Sequence, residues 1–223
     1  MTAAPAKVHS KRDLRRAGQV FAAILMPIGP AAIAVLRFLF TDAEAGNSPG
    51  AWVVVVWLGA IGVFTLLPGA WAALQLLRRH RPVLSAWTAA FLVPGFLAMA
   101  SLWFTDPLTY TAHELGYSPS EVTAFLDTVQ ATAPPVTVMF VVFLAGHIVG
   151  TVLLGVTALR SGLIPTWVAI LLIVSQPLHL VAGMTTQPWL DLIAWGLTAL
   201  GMGFLARAVL KTPVDEWELP PIR

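Results

Sequence analysis

The sequence predicts an all-α, polytopic integral membrane bundle of six transmembrane helices, and three observations predict it. Residues are 57% hydrophobic and 11% charged, against roughly 25% charged in soluble domains. So few charges cannot clothe a water-soluble surface. Six apolar segments also run through the chain, each near or above the ~20 residues that cross a hydrocarbon core. Finally, all thirteen Lys and Arg residues except Arg37 fall on one side of the zigzag these segments trace. Short loops rich in Lys and Arg stay cytoplasmic. The expected location is therefore the cell membrane, with both termini cytoplasmic.

The first span is expected over 18–40, after Lys7, Lys11, Arg12, Arg15 and Arg16. Its apolar run to Phe40 exceeds a signal-peptide core, which predicts a retained helix. The second span, 51–77, ends at Arg78, Arg79 and Arg81; the third covers 83–105. The fourth, 135–159, stops at Arg160; the fifth is 164–186, and the sixth, 189–210, ends among Arg207 and Lys211. All six are expected to form a single membrane domain over 1–223. Pro27, Pro30, Pro68, Pro94 and Pro177 fall inside spans, where each removes a backbone donor and kinks the helix. Kinks this frequent favour an internal space, although proline is also common in membrane helices. The corners "LLRRHRPVLSAW" and "ALRSGLIPTW" look alike, through duplication or through shared turn requirements.

The loop from Asp106 to Pro134 is the one long extramembrane piece. Within it, Ser118, Pro119 and Glu121 form a capping-box start. Val122, Phe125, Leu126 and Val129 recur at helical spacing, predicting an amphipathic helix over about 119–131. It is either a lid or a surface anchor.

Composition excludes several functions. Cysteine is absent, so disulfides, thiolate nucleophiles and Cys-bound metals are excluded. The basic balance is accounted for by the cytoplasmic corners, which argues against a nucleic-acid partner. The expected partners are the bilayer and a hydrophobic small molecule, with no cofactor and no metal.

Polar groups in hydrocarbon are costly and need a reason. His147 lies mid-span in "AGHIVGT", where Gly146 and Gly150 allow close helix approach and Thr151 shares the histidine's face. His179 follows Ser175 and Gln176 by one turn in "SQPLHLVAG". Together they predict a polar seam that either lines a cavity or joins helices by hydrogen bonds. Acids gather at the outer ends. Asp106 ends the third span and Asp191 opens the sixth, with Trp195 and Thr198 at helical spacing after it. His113, Glu114, Asp42 and Glu44 lie in outer loops. Arg37 is the sole outer cation, and either snorkels, pairs with a carboxylate or binds an anionic substrate. Among nine tryptophans, Trp52, Trp103, Trp189, Trp87 and Trp167 suit the interfacial belts. Trp57, Trp71 and Trp195 lie deeper and are expected either to wall a pocket or to pack the core.

Four kinds of function compete. Two helical histidines invite a bis-histidine haem or a metal. However, at ~1.5 Å per residue His147 lies about 16–18 Å below the outer boundary and His179 about 10 Å, which is unlevel for axial ligands. "HELGY" at His113 lacks the second histidine of a zinc helix. Transport would use broken helices and midplane polar groups. A membrane-embedded enzyme would need an acid (Asp191 or Asp106), a relay (His179 and His147) and an apolar pocket. Its substrate-binding candidates are Trp195, Trp57, Trp71, Gln176, Ser175, Thr151 and Arg37. A non-catalytic accessory membrane protein is the fourth alternative.

The stretch "GHIVGTVLLGVTALRSGLIPTWVAILLIVSQPLHLVAG" with "LDLIAWGLTALGMGF" resembles the C-terminal half of uncharacterised six-helix membrane proteins of actinomycetes. In size and helical character the chain is also similar to small integral-membrane terpene cyclases. That similarity implies acid–base chemistry on an isoprenoid-like substrate, a cofactor-free cyclase or isomerase.

Overall fold

A computed structural model describes the backbone of residues 6–44 and 50–217 and the side chains of 14–40 and 50–217. The side chains of Lys7, Lys11, Arg12, Asp42, Glu44 and Arg223 therefore lie outside the described residues. The described chain is helical, without strands, and six helices are long and apolar enough to cross a membrane. They are α1 (Ala6–Glu44), α2 (Ala51–His80), α3 (Pro82–Leu102), α6 (Pro134–Ser161), α7 (Thr166–Thr185) and α8 (Pro188–Lys211). Two short helices, α4 (Thr105–Glu114) and α5 (Pro119–Thr132), fill the long loop, and α9 (Val214–Trp217) follows α8.

Each spanning helix packs on its sequence neighbour, with α3 meeting α6, and α1 meets α8 to close a ring in the order α1, α2, α3, α6, α7, α8. In lipid, small residues at the seams set how near backbones come. At the α3–α6 seam an added Cβ on Gly146 would lie 2.7 Å from the Gly95 Cα, and one on Gly150 would lie 2.6 Å from the Leu92 Cα. Thr88 and Thr157 share a 3.0 Å hydrogen bond across the same seam. The predicted helix-approach role of Gly146 and Gly150 is met here.

Arg15, Arg16, Arg78, Arg79, Arg81, Arg160, Arg207 and Lys211 gather at one end of the ring, and side chains there satisfy exposed helix carbonyls. Gln19, fully buried, donates through Nε2 to Val209 O (2.7 Å) and Thr212 O (2.8 Å). Arg81 Nε donates to Arg160 O at 2.7 Å, which joins the two look-alike corners. The interior prolines sit within helices that continue past them.

At the other end the capping box is present. The Ser118 Oγ accepts from the Glu121 N–H, and the Glu121 carboxylate accepts from the Ser118 N–H at 2.8 Å. Those bonds to Ser118 hold the Glu121 carboxyl below its ordinary value. Two elements go beyond the sequence expectation, the short α9 and, in this loop, α4 as a second helix. Pro107 stands in its first turn, where a missing N–H costs nothing, so that "TDPLTYTAHE" folds as a helix rather than a connector.

Candidate functional site

Asp191 lies in the first turn of α8, where the helix dipole favours a carboxylate, and is only 3% exposed. Both of its oxygens are engaged. Arg37 Nε, from α1, donates to Oδ2 at 2.8 Å, and His179 Nδ1, from α7, donates to Oδ1. A guanidinium beside a buried carboxylate offsets much of the cost of placing either charge in hydrocarbon. Because Nδ1 of His179 carries the hydrogen given to Asp191, Nε2 is the nitrogen left for chemistry. A histidine oriented by a carboxylate in this way is the arrangement that fixes tautomer and ring in acid–base sites. The Arg37 Cζ also sits 5.5 Å from the Phe40 ring centroid.

His147 approaches this triad from α6, held where Gly95 and Gly146 bring α3 and α6 together. Its Nδ1 lies 2.6 Å from Phe143 O, and since a carbonyl only accepts, Nδ1 carries the hydrogen. The ring lies parallel to Phe143 at 4.3 Å and to Trp195 at 6.1 Å. It meets His179 edge to face at 5.4 Å. The height mismatch expected between the two histidines is therefore corrected. His147 is thirteen residues below the start of α6 and His179 only six from the end of α7, so α6 projects beyond α7 and counting from helix ends misplaces one against the other. The edge-to-face contact leaves no slab between the rings for a macrocycle. Among the described residues no cluster of three His, Asp or Glu could hold a metal ion.

Deeper in the bundle, Gln176 Nε2 donates to Thr198 Oγ1 (2.9 Å), and Thr198 donates to Ser175 Oγ (2.9 Å), which donates to Leu172 O (2.8 Å). These bonds tie α7 to α8. Thr151 is buried on the His147 side of α6. Gln176 and Ser175 are thus bonded across the α7–α8 seam and stand outside the wall of the cavity beside the triad.

A cavity of about 440 Å³ opens beside the triad, its wall including Arg37, His179, Asp106, Trp103 and Trp195. Most of the remaining wall is aliphatic or aromatic, including Ile33, Leu36, Met99, Phe140 and Phe143. Phe140, Leu180 and Met184 line it and are also exposed, so the mouth faces sideways between α6 and α7. The volume lies within the ~300–1,000 Å³ range of small-molecule sites.

The expected site residues do not all meet there. Trp57 and Trp71 are 67% and 51% exposed on the outside of α2. The inner face of that helix is the stripe Val55, Gly59, Gly62, Leu66, Gly69 and Ala73, which places position 57 and position 71 toward lipid. Neither therefore walls this cavity; Trp71 instead borders two grooves toward the basic end. His113 packs on Trp52 at 5.6 Å and Glu114 is exposed, both on α4 and neither in the cavity wall. Trp103, read as a belt residue, instead lines the cavity, with its indole nitrogen buried against Gly59. Phe143 carries no sequence signal; only its spacing of four from His147 marks it as a stacking neighbour.

The model of the family described as "Domain of unknown function (DUF4386)" matches residues 17–211. No curated protein and no solved structure matches the chain.

Proposed function

The chain belongs to the DUF4386 family, described as a domain of unknown function, and we propose that it is a membrane-embedded acid–base catalyst acting on a lipid-soluble, isoprenoid-like substrate. The observation that carries this reading is His179, oriented by Asp191 and facing an apolar cavity whose mouth opens on the flank of the bundle. A substrate dissolved in the bilayer reaches such a site without crossing water. With the basic end in the cytoplasm, as the charge bias favours, both termini are cytoplasmic and the site lies in the outer half of the cell membrane.

The roles differ from those expected of the acids. Asp191 is bonded on both oxygens, so it acts as a positioning residue and not as the proton donor. His179 Nε2 takes up and returns the proton. His147, in ring contact with His179 and bonded through Nδ1 to Phe143 O, shapes its surroundings rather than carrying the proton. Alkene protonation, as in a terpene cyclase, needs a stronger acid than an imidazolium and would fall to Asp106, in the same wall. Proton abstraction and return suits imidazole, which favours an isomerase over a cyclase.

The test is a product comparison. Proteoliposomes carrying wild-type protein or His179→Ala are incubated with a bacterial membrane-lipid extract, and neutral lipids are profiled by mass spectrometry. At least one species should be converted by wild type and left unconverted by the variant. Identical profiles from two equally folded proteins would contradict the proposal.

A further inference from the structure

Resting on the acid–base reading above, we infer that the substrate is a lipid-soluble carbonyl compound whose oxygen is received by Arg37 and whose neighbouring C–H faces His179. The juxtaposition that points to it is one carboxylate shared by two different groups. Asp191 takes the Arg37 Nε–H on Oδ2 and the His179 Nδ1–H on Oδ1, so guanidinium and imidazole are held side by side in the cavity wall.

Only one edge of the Arg37 fork is used by Asp191. Its two terminal nitrogens have no hydrogen-bond acceptor among the described residues, and its side chain is 39% exposed. Guanidinium is donor-only, so a ligand head that settles there must be an acceptor. Asp191 already balances the Arg37 charge, so a neutral acceptor suits the site better than a second anion, which would add uncompensated charge in a low-dielectric cavity. Asp106 lines the same wall and is itself engaged. The remaining wall is mostly apolar and takes the hydrocarbon body, which extends to the lateral mouth at Leu180 and Met184.

A carbonyl also gives His179 a proton it can remove. The C–H bond beside the carbonyl breaks, its proton passes to Nε2, and its electron pair forms the C=C bond of an enolate. The negative charge moves to the oxygen, where Arg37 N–H groups stabilise it as it develops. Returning the proton to the same carbon, or to the far end of a conjugated system, regenerates neutral His179. The second outcome shifts a double bond. No oxidant, reductant or co-reactant enters.

The experiment uses the purified full chain in nanodiscs with geranylacetone, a prenyl methyl ketone, labelled with a heavy isotope at its carbonyl carbon. The bound ketone should show its carbonyl stretch at lower infrared frequency than in lipid alone. It should also bind roughly tenfold more tightly than a prenyl hydrocarbon of equal length, the worth of one hydrogen bond to a charged group. An unshifted stretch, equal displacement by the hydrocarbon, or no binding would each overturn the inference. Both readouts use wild type; Arg37→Met, where it folds, should restore the free-ketone frequency. In heavy water, wild type should then place deuterium beside the carbonyl and His179→Ala should not. A shifted stretch without exchange would leave the substrate class standing and overturn the catalytic reading instead.

Discussion

Arg37 and Asp191 are each costly in a hydrocarbon setting and tolerable as a pair. Removing one partner strands the other, at about 2.5–3.5 kcal/mol on insertion scales for a charge at helix centre and less near the interface where Arg37 sits. Arg37→Met and Asp191→Leu should each lower the thermal midpoint in detergent. The double variant should recover most of the loss, and additive losses would contradict the pairing. By contrast, the Gln176–Thr198 bond is of a kind worth about 0.6 kcal/mol on average in membranes. Gln176→Leu should therefore shift the midpoint little. The sequence marks Arg37, His179 and Asp191 one by one, as polar side chains in apolar runs. Their meeting is not legible there, because 154 positions separate Arg37 from Asp191 and only closure of α1 onto α8 brings them together. The same limit explains Trp57 and Trp71. Depth along a helix can be counted, but the face turned inward depends on the neighbour, here the small-residue stripe α2 presents to the bundle.

Among the elements, the α3–α6 seam governs where His147 sits. Gly146→Leu would drive a side chain into the α3 backbone at Gly95, and overpacking of this kind costs about 1–3 kcal/mol. The midpoint should fall, and any ligand-dependent signal from His147 should fall with it. A Gly183→Leu variant of α7 provides the contrast, since an added Cβ there meets nothing within 4 Å. Helix α5 makes a separate, pH-dependent prediction. Bonds to Ser118 lower the folded-state pKa of Glu121, so the stabilisation is present above the ordinary glutamate value and is lost as pH falls through the lowered one. Amide exchange in the first turn of α5, corrected for intrinsic rates, should quicken over that acidic window and be several-fold faster at neutral pH in Ser118→Ala. Unchanged protection in the variant would remove the cap from the account. This element was readable because a capping box is local chemistry. Helix α4 was not, because Pro107 and polar neighbours read as a turn until packing on α2 makes them a helix.

At the scale of the whole molecule, ring closure turns six sequential helices into a container. Its basic end is tied by Gln19 and Arg81, and its opposite half holds the cavity. The count of spans and the charge bias are properties of long segments and survive any error in packing, which is why they were legible. The mouth between α6 and α7 is a property of three-dimensional spacing and was not. Gly183→Leu should narrow that mouth without unfolding the ring, cutting geranylacetone binding at least tenfold while leaving the midpoint within a few degrees; unaffected binding would place the entry elsewhere. The central claim, that Asp191 fixes His179 with Nε2 free to exchange a proton at the cavity, is tested most directly by the nitrogen-15 NMR spectrum of the labelled His179 ring. The account predicts a hydrogen on Nδ1, strongly deshielded by its carboxylate partner, with Nε2 as the exchanging nitrogen, and loss of that deshielding in Asp191→Asn. A hydrogen resident on Nε2 in wild type, or a spectrum indifferent to Asp191→Asn, would contradict it.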